Sequence, residues 1–145
     1  MSGVVACPSC GKKNRIPTAA TGVPRCAACH SALPWLTDAD DGDFDRVAGE
    51  SPLPVLVDLW APWCGPCRAV APGVEQAARK LAGRMKVVKV NVDKAPAVAS
   101  RFDARSIPML LILHDGKLKD RQVGAVPPDA LLRWAEKALG RLRAA

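Results

Sequence analysis

A chain of 145 residues has room for one ordinary domain, or for a small domain joined to a very small module, and its 49% apolar content is enough to fill a packed core. No apolar stretch reaches membrane-spanning length, and Met1-Ser2-Gly3-Val4-Val5-Ala6-Cys7 lacks the charged start and long hydrophobic segment of a signal peptide, so a soluble cytoplasmic protein with no membrane partner is expected. The net charge of +7 does not argue for nucleic acid: residues 1–36 carry Lys12, Lys13, Arg15 and Arg25 and no acid, but no aromatic residue interleaves these cations, so a solvated surface or mild steering of acidic protein substrates is the expectation.

The chain opens with two cysteine pairs, Cys7-Pro8-Ser9-Cys10 and Cys26-Ala27-Ala28-Cys29, with fifteen residues between Cys10 and Cys26. This is the spacing of a four-cysteine zinc site, in which each pair forms a tight knuckle and the segment between returns the chain. Gly11 follows the first knuckle, where the absence of Cβ relieves crowding near the sulfurs. Lys12 to Arg25 holds few large apolar residues and cannot fold by burial alone, so Zn2+ would supply the free energy, and four thiolates leave no open coordination position for a substrate. Two structural disulfides are the competing reading, disfavoured by a cytoplasmic setting. His30, beside Cys29, reads as a surface residue.

Leu33-Pro34-Trp35-Leu36 reads as a short edge strand, and Thr37 to Asp43 as the cap and acidic first turn of a helix reaching Phe44, Val47 and Ala48. The boundary between the two modules is placed near Leu36. Pro54 to Trp60 is a strand interrupted by Asp58, a carboxylate whose burial in so apolar a run would raise its pKa and make it a proton acceptor; the plainer reading turns it to solvent. This strand delivers Trp63-Cys64-Gly65-Pro66-Cys67 to a helix start. There the unpaired N–H groups and aligned peptide dipoles favour a thiolate at Cys64, while Gly65 leaves the loop without a side chain and Pro66 suits an early helical position. Cys64 would attack a disulfide and Cys67 resolve the mixed disulfide; a half zinc site or an inert pair is the alternative.

The following helix places Val70, Val74, Ala77, Ala78 and Leu81 at helical spacing, contains Pro72 and is terminated near Gly83. Met85 to Val92 alternates as a strand in which Lys89 reads as a surface lysine, and Pro96 opens a short helix through Phe102. Met109 to Leu113 is apolar enough for a central strand. Pro108 just before it lacks a ladder donor, which a cis peptide in a turn would accommodate. Asp115-Gly116 turns into an antiparallel strand from Leu118 to Val123, with His114 exposed at the turn, and a last amphipathic helix begins near Pro128. Together these elements predict an α/β fold, a mixed sheet flanked by helices.

Trp63-Cys64-Gly65-Pro66-Cys67, Asp58, Ile107-Pro108 and Gly124-Ala125 resemble the thioredoxin family, over about residues 38–145, and the four-cysteine segment is similar to the N-terminal zinc-binding extension of one bacterial branch. The resemblance implies a zinc-ribbon-like module at 1–36 followed by a thioredoxin domain at 37–145. It implies a protein-disulfide reductase with Asp58 as proton acceptor of Cys67 and Lys89 as its neighbour. Trp60, Trp63, Gly65, Pro66, Ile107, a cis Pro108 and Gly124 would frame a shallow groove for extended substrate segments. Met109 departs from the threonine commonest at its position. Regeneration by thioredoxin reductase, an NADPH-dependent flavoprotein, is implied, with no organic cofactor in this chain, and a monomer is expected. A zinc-linked binding module with secondary redox chemistry, or a redox sensor that releases zinc on oxidation, are the two other readings of the cysteines.

Overall fold

The computed structural model describes residues 3–144, the last two as helix backbone only; Met1, Ser2 and Ala145, which end the two predicted units, lie outside the described residues. Val4–Ala6 (β1) and Lys13–Arg15 (β2) pair antiparallel and carry the first cysteine pair in the loop between them. The second pair sits in a matching loop closed by a bridge between Arg25 and Ala32.

A five-stranded mixed sheet follows. Its strands are Leu36–Ala39 (β3), Val55–Trp60 (β4), Lys86–Asn91 (β5), Met109–His114 (β6) and Lys117–Val123 (β7). They lie in the order β3-β5-β4-β6-β7, parallel across the first three and antiparallel across β4-β6-β7. Strands β4, β5 and β6 are buried on both faces, which their near-continuous Val and Leu content requires. On one face Gly65–Lys80 (α1) and Pro128–Ala144 (α3) pack together over Leu56, Val87, Leu110 and Ile112. On the other, Phe44, Val47 and the short helix Pro96–Arg101 (α2) cover Val57, Leu59, Val88 and Leu111. Among the described residues no helix is long and apolar enough to cross a membrane.

The stretch from Leu33 to Gly49 departs from the sequence reading. Leu33 and Trp35 do not enter the edge strand; both are buried against Cys7, Ile16 and Cys26, supplying the N-terminal segment with the apolar partners it lacks. The edge strand is β3 instead, and Thr37 and Ala39 alternate into the protein from it rather than capping a helix. The acids beyond it close a turn: Asp43 accepts the backbone N–H of Asp40 at 2.8 Å and Asp40 accepts that of Gly42 at 2.9 Å. The helical segment is a single π-helical turn, Asp45–Gly49.

Asp41 does cap a helix, but a distant one. Its carboxylate accepts the N–H groups of Ala97 at 3.0 Å and Val98 at 2.9 Å, two of the unpaired donors at the start of α2, whose own Ala95 offers no side-chain cap. Asp41→Ala is expected to cost about 1 kcal/mol, the ordinary worth of a cap, read as a lower urea midpoint with unchanged slope.

Candidate active site and cysteine cluster

Cys64 stands at the junction of strand and helix because β4 ends at Trp60 and Pro66 starts α1 with its missing N–H at a position that needs none. As the N-cap residue, extended at φ −90° and ψ 108°, it accepts the backbone N–H of Cys67 on its own sulfur at 3.1 Å. A sulfur here receives a direct donor as well as the positive end of the α1 dipole, and both favour its anionic form. Cys64 and Cys67 are joined as a disulfide, with their Cα atoms 5.3 Å apart. Both are buried, packed with Ala61, Trp60, Val92 and Ile107.

The Ile107–Pro108 peptide is cis, as the sequence predicts, and brings the Ile107 carbonyl oxygen to 3.8 Å from Cys64 Sγ. Gly124 donates its N–H to the Pro108 carbonyl at 2.8 Å, at φ +93°, a conformation that residues with a Cβ rarely adopt. Trp63 is 67% exposed and Gly65 and Pro66 are open to solvent, so the disulfide lies under a shallow surface rather than in a deep cavity. Two contacts here had no signal in the sequence: the Trp63 indole N–H donates to the Asp93 carboxylate at 3.0 Å, and the Arg68 guanidinium donates to the Pro62 carbonyl at 2.7 Å. Asp93 follows β5 as an ordinary turn acid, and no periodicity marks it.

Asp58 points into the protein. It is 1% exposed, and among the described residues neither carboxylate oxygen has a hydrogen-bond partner. Burial raises its pKa from 3.8 to about 6, with the Lys89 charge pulling the other way. Lys89 is its register partner on β5 and is half-buried rather than a free surface residue. The Lys89 ammonium lies 4.9 Å from the centre of the Trp60 ring. Lys89 and Trp60 line a cavity of about 460 Å³ with Asp38, Asp40, Asp43 and Lys94. The cavity opens on Lys89, and Asp58 does not line it.

The second cluster is built by two nearly identical knuckles. Cys7 N–H donates to the Lys12 carbonyl at 2.8 Å and Gly11 N–H to the Cys7 carbonyl at 2.8 Å; in the second loop, Cys26 N–H donates to Ser31 and His30 N–H to Cys26, both at 2.9 Å. The sulfurs of Cys7, Cys10, Cys26 and Cys29 all lie within 4.8 Å of one another, with Cys7–Cys29 and Cys10–Cys26 each at 3.6 Å. All four cysteines are free, not disulfide-bonded. A tetrahedral ion with metal–sulfur bonds near 2.3 Å would set its sulfurs about 3.8 Å apart, so four soft donors stand where such an ion fits. Cys26 Sγ receives the Asn14 side-chain amide at 3.5 Å and the Ala28 N–H at 3.4 Å. With the backbone N–H of Cys29 as the main cause, such donors lower the Cys26 thiol to about 6.

His30 takes the place in the second knuckle that Gly11 takes in the first, at φ +65° against +80°, and is exposed. Its role is to complete a turn, at the cost of a left-handed backbone that a side chain disfavours. His30→Gly is expected to leave metal stoichiometry unchanged and to stabilise the protein by up to about 1 kcal/mol, measured by urea unfolding alongside a zinc assay.

The family model described as Thioredoxin matches residues 35–137. Among curated proteins, this chain is 52% identical to thioredoxin 1 of Synechococcus elongatus over 99 residues, 68% of this chain and 92% of that one. It is 49% identical to a thioredoxin of Synechocystis over 109 residues, 75% and 99% of the two chains, and 46% identical to a thioredoxin of Haemophilus influenzae over 95 residues, 66% and 89%.

Proposed function

The chain belongs to the thioredoxin family and is a protein disulfide oxidoreductase, and from that membership we propose that it reduces disulfides of cytoplasmic proteins through Cys64 and Cys67, as a thioredoxin 2-like member with an N-terminal zinc module. In the reduced protein, Cys64 thiolate attacks one sulfur of a substrate disulfide. A Cys64–substrate bond forms and the first substrate thiolate leaves, taking a proton from solvent. Cys67 then attacks Cys64 Sγ, the second substrate thiolate leaves, and the Cys64–Cys67 disulfide remains, so that two electrons have passed to the substrate. Asp58 accepts the Cys67 proton, with Lys89 holding the carboxylate's charge within range. Trp60, Trp63, Gly65, Pro66, Ile107, Pro108 and Gly124 form the surface against which an extended substrate segment lies, with the backbone of Ile107, beside the cis peptide, offered for pairing.

The observation that carries this reading is the Cys64 sulfur on the Cys67 N–H at the head of α1, facing the cis Ile107–Pro108 peptide. Regeneration falls to an NADPH-dependent flavoprotein, thioredoxin reductase. In the N-terminal module (1–36), Cys7, Cys10, Cys26 and Cys29 would hold Zn2+ in a closed coordination sphere, so that its contribution is to folding and not to the reaction; the redox domain is 37–145, and the protein acts as a monomer. The test is NADPH consumption with insulin as substrate and a bacterial thioredoxin reductase as electron source. Turnover dependent on both proteins is expected; reduction of insulin by dithiothreitol through this chain without any coupling to the reductase would remove the reductase from the scheme.

A further inference from the structure

Lys86 is fully buried and belongs to no part of the reaction. It opens β5, and its exposure is 0%. Its ammonium donates to the carbonyl oxygen of Thr18, in the N-terminal module, and to that of Val47, in the π-helical turn of the redox domain, both at 2.7 Å. It also lies 4.2 Å from the centre of the Trp35 ring. Burial lowers the lysine's pKa to about 8, an effect Arg46 adds to and Asp43 opposes. So costly a group is retained only where its donors are used, and here they join two bodies.

The contacts on either side extend the connection. Trp35 packs on Cys7 and Cys26 and donates its indole N–H to the Pro17 carbonyl at 2.8 Å, while Val47 is a fully buried member of the sheet's core with Phe44, Val55 and Leu113. The packing also crosses both ways: Ala19 of the module lies against that core, and Leu53 of the domain against the Trp35 cluster. At Gly83, φ +81°, an added Cβ would fall 2.8 Å from the Ala32 side chain, so the chain beyond α1 also touches the module closely.

We propose that the cysteine module and the five-stranded sheet unfold as one cooperative unit, and that Lys86 is the latch through which metal occupancy sets the stability of the redox domain. The path runs from the metal-facing cysteines to Trp35, from Trp35 to Lys86, and from Lys86 to the Val47 carbonyl. This rests on the zinc reading above, and the test separates the two.

The full-length zinc-loaded chain is titrated with urea under a non-thiol reductant, with circular dichroism reporting the sheet and 4-(2-pyridylazo)resorcinol absorbance reporting released zinc. The two transitions are expected to share one midpoint, and stripping the metal beforehand is expected to lower the sheet's midpoint by about 1 M urea or more. In Lys86→Met the transitions separate: zinc leaves at lower urea and the sheet's midpoint no longer responds to metal. Should that variant not fold, Lys86→Gln, whose uncharged amide stands one bond short of the lysine ammonium and no longer joins the two carbonyls, carries the same test. Zinc lost from the wild type well before the sheet unfolds overturns the coupling; coincident midpoints in the folded Lys86 variant overturn the latch. A chain that binds no zinc overturns the reading beneath both.

Discussion

Cys64→Ser is expected to lower insulin turnover by at least about 10³-fold, to the background set by the reductant, because a serine hydroxyl stays protonated where a thiolate would form. The loss is not one of folding. Cys64 packs in a small cluster at the head of α1, and serine can still accept the Cys67 N–H that now reaches its sulfur at 3.1 Å. Cys67→Ser separates the two steps. Attack by Cys64 survives, the resolving thiolate is gone, and the mixed disulfide persists, visible by mass spectrometry as a substrate adduct that dithiothreitol removes. Both variants should retain the far-UV spectrum and unfolding midpoint of the reduced wild type. Undiminished turnover by Cys64→Ser would move the chemistry to another thiol, and an adduct equally abundant without Cys64 would do the same. The binding-module alternative predicts instead that a cellular function survives both substitutions.

What could be read in advance was set by local chemistry. The spacing of Cys7, Cys10, Cys26 and Cys29 is a local constraint, and the sulfurs do converge within 4.8 Å. The strand-to-helix setting of Cys64 and Cys67, the cis Ile107–Pro108 peptide and the Asp115-Gly116 hairpin are likewise properties of a few adjacent residues. Asp58 was legible because an acid in an apolar strand is anomalous. Errors arose where a residue's partner is far along the chain. Asp41 has the composition of a local cap and serves α2, 56 residues on. Thr37 and Ala39 look like a helix start until β5 offers them a parallel neighbour. Leu33 and Trp35 carry an apolar signal that fits an edge strand, and only the small core around Cys7 and Cys26 decides otherwise. Lys86 could not be found at all, since nothing nearby marks a lysine whose two acceptors are 39 and 68 residues away.

Asp58→Asn is expected to make the protein more stable and less active at once, and the two effects share one cause. Burial raises the carboxyl from 3.8 to about 6, so between these pH values the native state keeps a proton that the unfolded chain has released. Stability therefore falls as pH rises through that window, and above it the native state bears the full cost of a buried, ionised carboxylate that Lys89 only partly offsets, about 3 kcal/mol. The neutral amide escapes this cost. At pH 7 the variant should melt roughly 5–10 °C higher, and its stability should lose the decline that the wild type shows from about pH 4 to 6. In the mechanism proposed above, the same carboxylate, ionised above pH 6 and buried beside Lys89, is the base for the resolving step. Without it, breakdown of the mixed disulfide should slow by about 10–100-fold, near the lower end of what a positioned base contributes. The wild-type rate should rise through an inflection near pH 6 that the variant lacks. A variant that is more stable yet resolves the mixed disulfide at the wild-type rate would show that the buried charge serves no proton transfer. A variant that is slower with the inflection intact would assign the titration to another group. The expected combination identifies Asp58 as a place where stability has been given up to keep a base inside the protein.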